Sequence, residues 1–435
     1  MREHPVRAAL RLLFRKIVGI YFRDVEVVGE VPSADVGGRL FAANHVNALV
    51  DPILVLTSTE CVISPIAKST LWKIPGLRWL LDVVDAVPIV RRRDVPDKSE
   101  KDNDAVFERI AKHLRTSGNI LIFPEGTSHN EPKLLALRSG AGRMLARAEA
   151  EGGRRLTFQA VGLEFEERDV FRSRTLVVYG PIREVDALGV KGDELAARIT
   201  EIVRDDLSEL LVEGDTWDDR LLIARVAELF AHATGDDSLE GWNAIGRRVE
   251  QAKRLLERGD REALAEVRAA VGAYYTEVER AGLSDDVVVS GVLPKGPGRA
   301  LVGLALLAVL PLALLAVPLY FLPYQLPRFV ANRISDERDV ASTYKLGVGL
   351  VVYPVWLALL VGLAFGFLPR EQAIAASVVA TAAPFAALGW LDRQDRLVAK
   401  LRAILPAKGA VARLRARRAA VMDLLEGIRG RVEPE

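Results

Sequence analysis

A single cysteine, Cys61, is the only thiol in the chain. That excludes a disulfide framework and a cysteine-built metal cluster, and the compartment is expected to be reducing. Cys61 lies in an apolar run and reads as a packed core residue. The formal net charge is only +1, so there is no global signal for nucleic acid or another polyanion, and none is expected as a partner. His4, His113, His129 and His232 show no metal-ligand spacing, and no metal is expected. His129 could touch a substrate, but a surface loop position suits it better. Internal repeats and low-complexity tracts are absent. There is no Gly-x-Ser-x-Gly nucleophile turn, and Gly140-Ala141-Gly142 is too short to argue for a nucleotide loop. The N-terminus lacks a secretory pattern: Arg7, Arg11, Arg15 and Lys16 interrupt its apolar residues, and no small-residue cleavage site follows.

What is present is apolar surface. Half of the 435 residues are hydrophobic, too many for a purely soluble protein, and the length exceeds one ordinary domain. In residues 1–23, Leu10, Leu13, Phe14, Ile17 and Tyr21 recur at helical spacing. This predicts an amphipathic helix lying on a membrane surface or packed on the following domain. Residues 24–185 alternate strand-like and helical runs, which predicts an α/β domain with a largely parallel sheet. The strands are expected at 38–43, 61–66, 86–90, 119–123, 157–165 and 174–180. The helices are expected at 51–58, 69–82, 102–117 and 138–151. Residues 186–298 read as a helical region with no strand run. Residues 299–391 hold three hydrophobic segments, 300–325, 346–368 and 373–391; the last two match the ~20 residues needed to cross a bilayer core. Pro369 to Gln372 would join those two as a hairpin.

Loop charge bears on sidedness. Arg328, Arg333, Arg338 and Lys345 flank the link between the first two segments. The tail 392–435 carries eleven Lys/Arg against six Asp/Glu. Three single crossings would place both basic segments opposite the rest of the chain, against the positive-inside tendency. The expectation is therefore that 300–325 re-enters, bending near Pro311, and that 346–368 and 373–391 cross as a hairpin. The link and the basic helical tail then share the cytoplasmic side with the α/β domain. The tail suits anionic headgroups or a plain solvated helix.

Three short segments carry chemistry. In Phe41-Ala-Ala-Asn44-His45-Val-Asn47-Ala-Leu-Val-Asp51-Pro52, a His and an Asp follow an apolar strand. Acyl transfer to an alcohol needs a base at the hydroxyl, and neutral imidazole suits that near pH 7. A carboxylate on the other ring nitrogen would fix the tautomer. Taken alone, the pair equally suits a loop histidine beside a helix N-cap. The second segment is Val87-Pro88-Ile89-Val90-Arg91-Arg92-Arg93. Arginines at a strand end suit a phosphate dianion or a solvated basic cluster. Lys68 and Arg138 are further phosphate candidates. In the third, Phe123-Pro124-Glu125-Gly126-Thr127-Ser128, Gly126 permits positive φ or close approach, and Glu125 suits a polyol, a nearby arginine or an exposed place in an ordinary turn.

In this order, the blocks resemble the glycerolipid acyltransferase family. Four blocks fall within residues 41–165, the fourth and weakest being Gln159-Ala160-Val161-Gly162-Leu163. The resemblance implies an acyltransferase-like α/β domain, with the helical region and membrane helices added to it. It implies His45 as catalytic base, Asp51 as its partner and Arg91 on the acceptor phosphate. Glu125 and Gly126 would contact the glycerol backbone. The implied reaction moves a fatty acyl group from acyl-CoA or acyl-ACP, without metal or organic cofactor, to the sn-1 hydroxyl of glycerol-3-phosphate. The alternatives are sn-2 acylation of lysophosphatidate and a non-catalytic lipid-binding scaffold at the membrane. The setting implied is an inner, cytoplasmic membrane, with the catalytic domain on the cytoplasmic side. Five residues separate His45 from Asp51, one more than the family's usual pattern. That spacer resembles the branch of fungal glycerol-3-phosphate acyltransferases. A small bulge at Asn47-Ala48 would bring Asp51 back into reach.

Overall fold

The computed structural model describes residues 4–34, 37–90, 101–152, 155–290, 297–334, 338–404 and 408–432. They fall into two compact units. The first comprises residues 1–215 with 337–342, and the second 216–336 with 343–435.

The first unit opens with helix α1 (Pro5–Tyr21). Strands β1 (Asp24–Gly29) and β2 (Arg39–Ala43) follow, then α2 (Val50–Thr57), β3 (Ser64–Lys68), α3 (Pro75–Val83) and β4 (Val87–Ile89). The chain continues through α4 (Lys101–Arg115), β5 (Ile120–Ile122), α5 (Gly140–Ala150), β6 (Thr157–Phe165), β7 (Arg174–Glu184) and α6 (Gly192–Leu210). One seven-stranded sheet results, ordered β1-β7-β6-β2-β5-β3-β4. Every pairing is parallel except β6 with β7. β2 and β5 are buried along their whole length, as expected of parallel strands covered on both faces. Right-handed crossovers put α2 and α3 on one face and α4 and α5 on the other. α1 packs on α2, and α5 packs on α4. β1 had not been expected from the sequence: its Asp24-Val-Glu-Val-Val run is half-exposed at the sheet edge.

α6 departs from the expected division at residue 186. Leu195, Ala196, Ile199, Val203, Leu207 and Leu210 form a buried stripe in the α/β core. α6 lies against α5 so closely that a Cβ on Gly142 would meet the Ala196 carbonyl oxygen at 2.1 Å. Residues 186–298 are thus not one helical region. Their first helix completes the sheet's second layer.

The second unit contains α7 (Trp217–Thr234), α8 (Leu239–Gly259), α9 (Arg261–Arg280) and α10 (Asp285–Ser290), then α11 (Pro297–Ile334), α12 (Arg338–Phe367), α13 (Arg370–Ile404) and α14 (Lys408–Val432). A capping box starts α7: Thr216 Oγ1 accepts from Asp219 N at 3.1 Å, and Asp219 Oδ2 accepts from Thr216 N at 3.2 Å, satisfying two orphan donors reciprocally. Leu414, Val421, Leu425 and Ile428 of α14 are buried in a core shared with Val271, Tyr274 and Val278 of α9. The basic tail is therefore partly a packing element. Arg418 binds Asp285 at 2.9 Å, Arg415 donates to the Val288 carbonyl at 2.7 Å, and Arg417 pairs with Glu277.

The spans Leu307–Ile334, Asp339–Phe367 and Arg370–Trp390 are each long and apolar enough to cross a membrane. The turn expected near Pro311 is not there. α11 is a single helix of 38 residues that runs through Pro311, Pro318, Pro323 and Pro327. Each proline removes one N–H bond and bends the axis, whereas a reversal would strip several consecutive backbone groups of partners in an apolar setting.

Candidate active site

The site residues sit at the carboxyl ends of adjacent parallel strands. His45 lies two residues beyond β2, Glu125 three beyond β5, and Lys68 ends β3. β2 sits where the connections diverge toward opposite edges of the sheet, the usual position for a ligand crevice in such sheets.

Asn44 extends β2 by one imitated backbone unit. Its side-chain oxygen accepts from Leu163 N at 2.7 Å and its amide donates to the Leu163 carbonyl at 3.0 Å. The chain then turns, and every backbone polar group of the next three residues is engaged. His45 N donates to Glu125 Oε1 at 2.6 Å, and its carbonyl accepts from His129 N at 3.2 Å. Val46 N and Asn47 N donate to Asp51 Oδ2 at 2.8 and 2.7 Å. The Asn47 carbonyl accepts from Val50 N at 2.8 Å, opening α2. Ala48 adopts φ 30°. One left-handed residue thus absorbs the extra residue of the spacer, and Asp51 enters the first turn of α2 facing back toward His45.

His45 Nδ1 lies 2.9 Å from Asp51 Oδ2. That oxygen already accepts two backbone N–H bonds, so Nδ1 is the donor and carries the proton. Nε2 is left with its lone pair. The imidazole stacks on Phe123 at 4.0 Å between ring centres and 19° between planes. The Asp51 side chain is fully buried and His45 is 12% exposed, which leaves an edge for a reactant.

Glu125 sits differently from the polyol contact expected of it. Its carboxylate is fully buried. One oxygen holds His45 N, and the other accepts from Leu135 N at 2.9 Å and from His129 Nε2 in a short contact. His129 Nδ1 accepts from Glu131 N at 3.1 Å, so Nε2 is the protonated nitrogen. His129 is therefore not a surface loop residue. It braces Glu125 from four positions on, a spacing the sequence displays but does not explain.

Gly126 has φ +76°, and a Cβ there would meet Arg138 Nε at 2.6 Å. Arg138 lies across it, anchored by its own N–H on the Pro124 carbonyl at 2.8 Å, with its side chain exposed. The structure brings Gly126 and Arg138 together beside Glu125. Lys68 pairs in register with Ile89 at the ends of β3 and β4. Arg91 lies outside the described residues. No group of three or more His, Cys, Asp or Glu able to hold a metal ion occurs among the described residues. Sequence reasoning did not single out Asn44, Phe123 or Arg168. Arg168, in the β6–β7 loop, donates to the carbonyls of Val46 and His129 at 3.4 and 3.3 Å.

Residues 24–161 match the family model described as Acyltransferase. Those residues form an acyltransferase domain. Among curated proteins, the chain is 25% identical over 283 residues to glycerol-3-phosphate O-acyltransferase 2 of Saccharomyces cerevisiae, covering 58% of this chain and 37% of that protein. It is 31% identical over 129 residues to lyso-ornithine lipid O-acyltransferase of Pseudomonas aeruginosa, covering 30% of this chain and 44% of that one. The chain thus spans less than half the length of either relative. Among solved structures, the 1-acyl-sn-glycerophosphate acyltransferase PlsC of Thermotoga maritima matches with a TM-score of 0.34 at 18% identity, over 47% of this chain and 81% of that one. The acyltransferase domain contains His45, Asp51, Lys68, Glu125, Gly126 and Arg138, together with Arg91.

Proposed function

We propose that the acyltransferase domain moves a fatty acyl group from acyl-CoA or acyl-ACP to the sn-1 hydroxyl of glycerol-3-phosphate. The observation that carries this reading is the 2.9 Å contact of His45 Nδ1 with Asp51 Oδ2, which leaves Nε2 as the base. Nε2 takes the acceptor's hydroxyl proton as its oxygen attacks the thioester carbonyl. The new C–O bond forms, the tetrahedral intermediate collapses, and the C–S bond breaks. His45 then returns the proton to the departing thiolate. Asp51 stabilises the transient imidazolium and holds the ring. The scheme uses no metal or organic cofactor. Arg138, exposed beside Gly126, and Lys68 are assigned to the acceptor phosphate, as is Arg91 from its motif.

Acylation of a lysolipid such as lysophosphatidate at sn-2 is the second reading, and the likeness to a lyso-ornithine lipid O-acyltransferase favours it. The intact His45–Asp51 pair speaks against a non-catalytic scaffold. The test offers each acceptor separately with an acyl-CoA, using membranes that carry the full chain. His45→Ala should lose about 10³-fold or more of the transfer. Turnover unchanged by that substitution would remove the base assignment.

We further propose that the domain faces the cytoplasm, and that two of the three apolar helices cross. α14 packs on α9 and binds α10 through Arg418 and Asp285, so residues 290 and 408 share a side. An even number of the three apolar helices then crosses.

A further inference from the structure

The loop between β6 and β7, residues 166–173, has no part in the proton transfers, yet it meets three elements. Arg168 donates through Nη1 to the carbonyls of Val46 and His129. These are the two loops that carry the imidazole and the brace of its Glu125 anchor. The Arg168 carbonyl accepts from Asn47 Nδ2 at 2.9 Å and from Ser342 Oγ at 2.7 Å. Ser342 is fully buried in the second turn of α12, and accepts from Tyr21 Oη at 2.9 Å. Burial pushes the Tyr21 hydroxyl up to about 12, so it remains a donor. Tyr21 ends α1, and Arg172 closes that end. Its N–H donates to the Tyr21 carbonyl at 2.7 Å, and Nη1 donates to the carbonyls of Gly19 and Ile20, each at 2.9 Å. These are carbonyls that a helix end leaves without partners.

Asp51 and Glu125 hold the His45 turn by its N–H groups. Arg168 holds it by its carbonyl side, and Asn47 ties it back to the Arg168 main chain. The two elements that fix Arg168 in turn are a basic amphipathic helix and the first turns of a membrane-length helix. We propose that Arg168 is a positioning residue for His45, held in register by Ser342 and Tyr21, so that the seating of α1 and α12 sets the aim of the imidazole. The proposal rests on the acyl-transfer reading of the His45 site.

The test uses the full chain in phosphatidylcholine–phosphatidylglycerol vesicles, with Arg168→Ala, Arg168→Lys, Ser342→Ala and Tyr21→Phe. Arg168→Ala should lower kcat about 10–100-fold, the scale of a small misplacement of a reacting group. KM for donor and acceptor should stay within about twofold. Amide exchange at Val46 and Asn47 should quicken while β2 and β6 exchange as before. Arg168→Lys should recover part of the rate, since one donor reaches one carbonyl. Ser342→Ala and Tyr21→Phe should lower kcat by smaller factors, and Ser342→Ala should have no further effect on kcat in the Arg168→Ala background. Wild-type kcat and exchange in Arg168→Ala would overturn the proposal. So would faster exchange across the whole sheet, which marks a merely structural role, or a raised acceptor KM at constant kcat, which marks substrate binding. A wild-type chain that transfers to neither acceptor would sink the functional reading alone, because exchange at Val46 and Asn47 still reports the positioning.

Discussion

Ala48 is where the spacer between base and carboxylate is reconciled with geometry. Four intervening residues would have left Val50 in the partner's place, and its isopropyl group cannot orient an imidazole. Five residues reach Asp51 only because one of them takes a left-handed turn, at φ 30°. An L-residue there costs on the order of 1–2 kcal/mol, and glycine escapes that cost while losing ~0.5–1 kcal/mol of chain entropy. Ala48→Gly should therefore leave the denaturation midpoint unchanged or slightly raised. Ala48→Val, branched at Cβ, should lower stability by about 2 kcal/mol or more and misplace Asp51, reducing transfer as well. Urea melts of both variants check this. A destabilising Ala48→Gly beside a neutral Ala48→Val would deny the strain.

Among the elements, α14 is the one whose role changed most between sequence and structure. Its arginines read as facing anionic headgroups or solvent, yet Arg418 reaches Asp285, which is 1% exposed and also bonds His232 Nδ1 at 2.7 Å and Tyr274 Oη at 2.5 Å. Burial works against charge on His232, but the bond and charge of Asp285 outweigh it and raise its pKa. Burial pushes Asp285 up, but His232, Arg418 and Tyr274 outweigh it and bring its pKa down. A raised histidine contributes stability that is complete below its unfolded value near ~6.5 and fades as pH rises through the folded value. A lowered aspartate contributes stability above its unfolded value near ~3.9 that fades as pH falls through the folded one. The docking of α14 should thus be tightest between about pH 4 and 6.5. Amide exchange over residues 411–428 should be slowest there and quicken on both sides. Asp285→Asn should flatten that profile and loosen α14 by about 3–5 kcal/mol. A pH-independent wild-type profile would contradict the cluster's role.

At the scale of the whole molecule, the docking of α14 bears directly on membrane sidedness. A helix that returns to its own bundle after three apolar helices requires an even number of crossings. Cys61 is buried, so the chain is nearly a cysteine-free background for labelling. With Gln372→Cys, a membrane-impermeant maleimide should react from the face opposite His45. Arg429→Cys, exposed near the end of α14, should react from the face opposite Gln372→Cys. Labelling of both from one face would undo the two-crossing arrangement.

The sequence by itself determined the α/β class, the strand ends that carry His45, Lys68 and Glu125, and the presence of three long apolar segments. Each of these is written in local patterns: apolar runs bounded by turn residues, short motifs and long hydrophobic segments. Tertiary structure decided what depends on distant partners. It turned Glu125 inward onto His45 N and His129, and recruited α6 into the α/β core. It kept α11 continuous through its prolines, and joined Arg168, Ser342 and Tyr21 across more than three hundred residues of chain. No spacing rule links such positions, because the hydrogen bonds that couple them exist only after the sheet and its covering helices have brought them within reach.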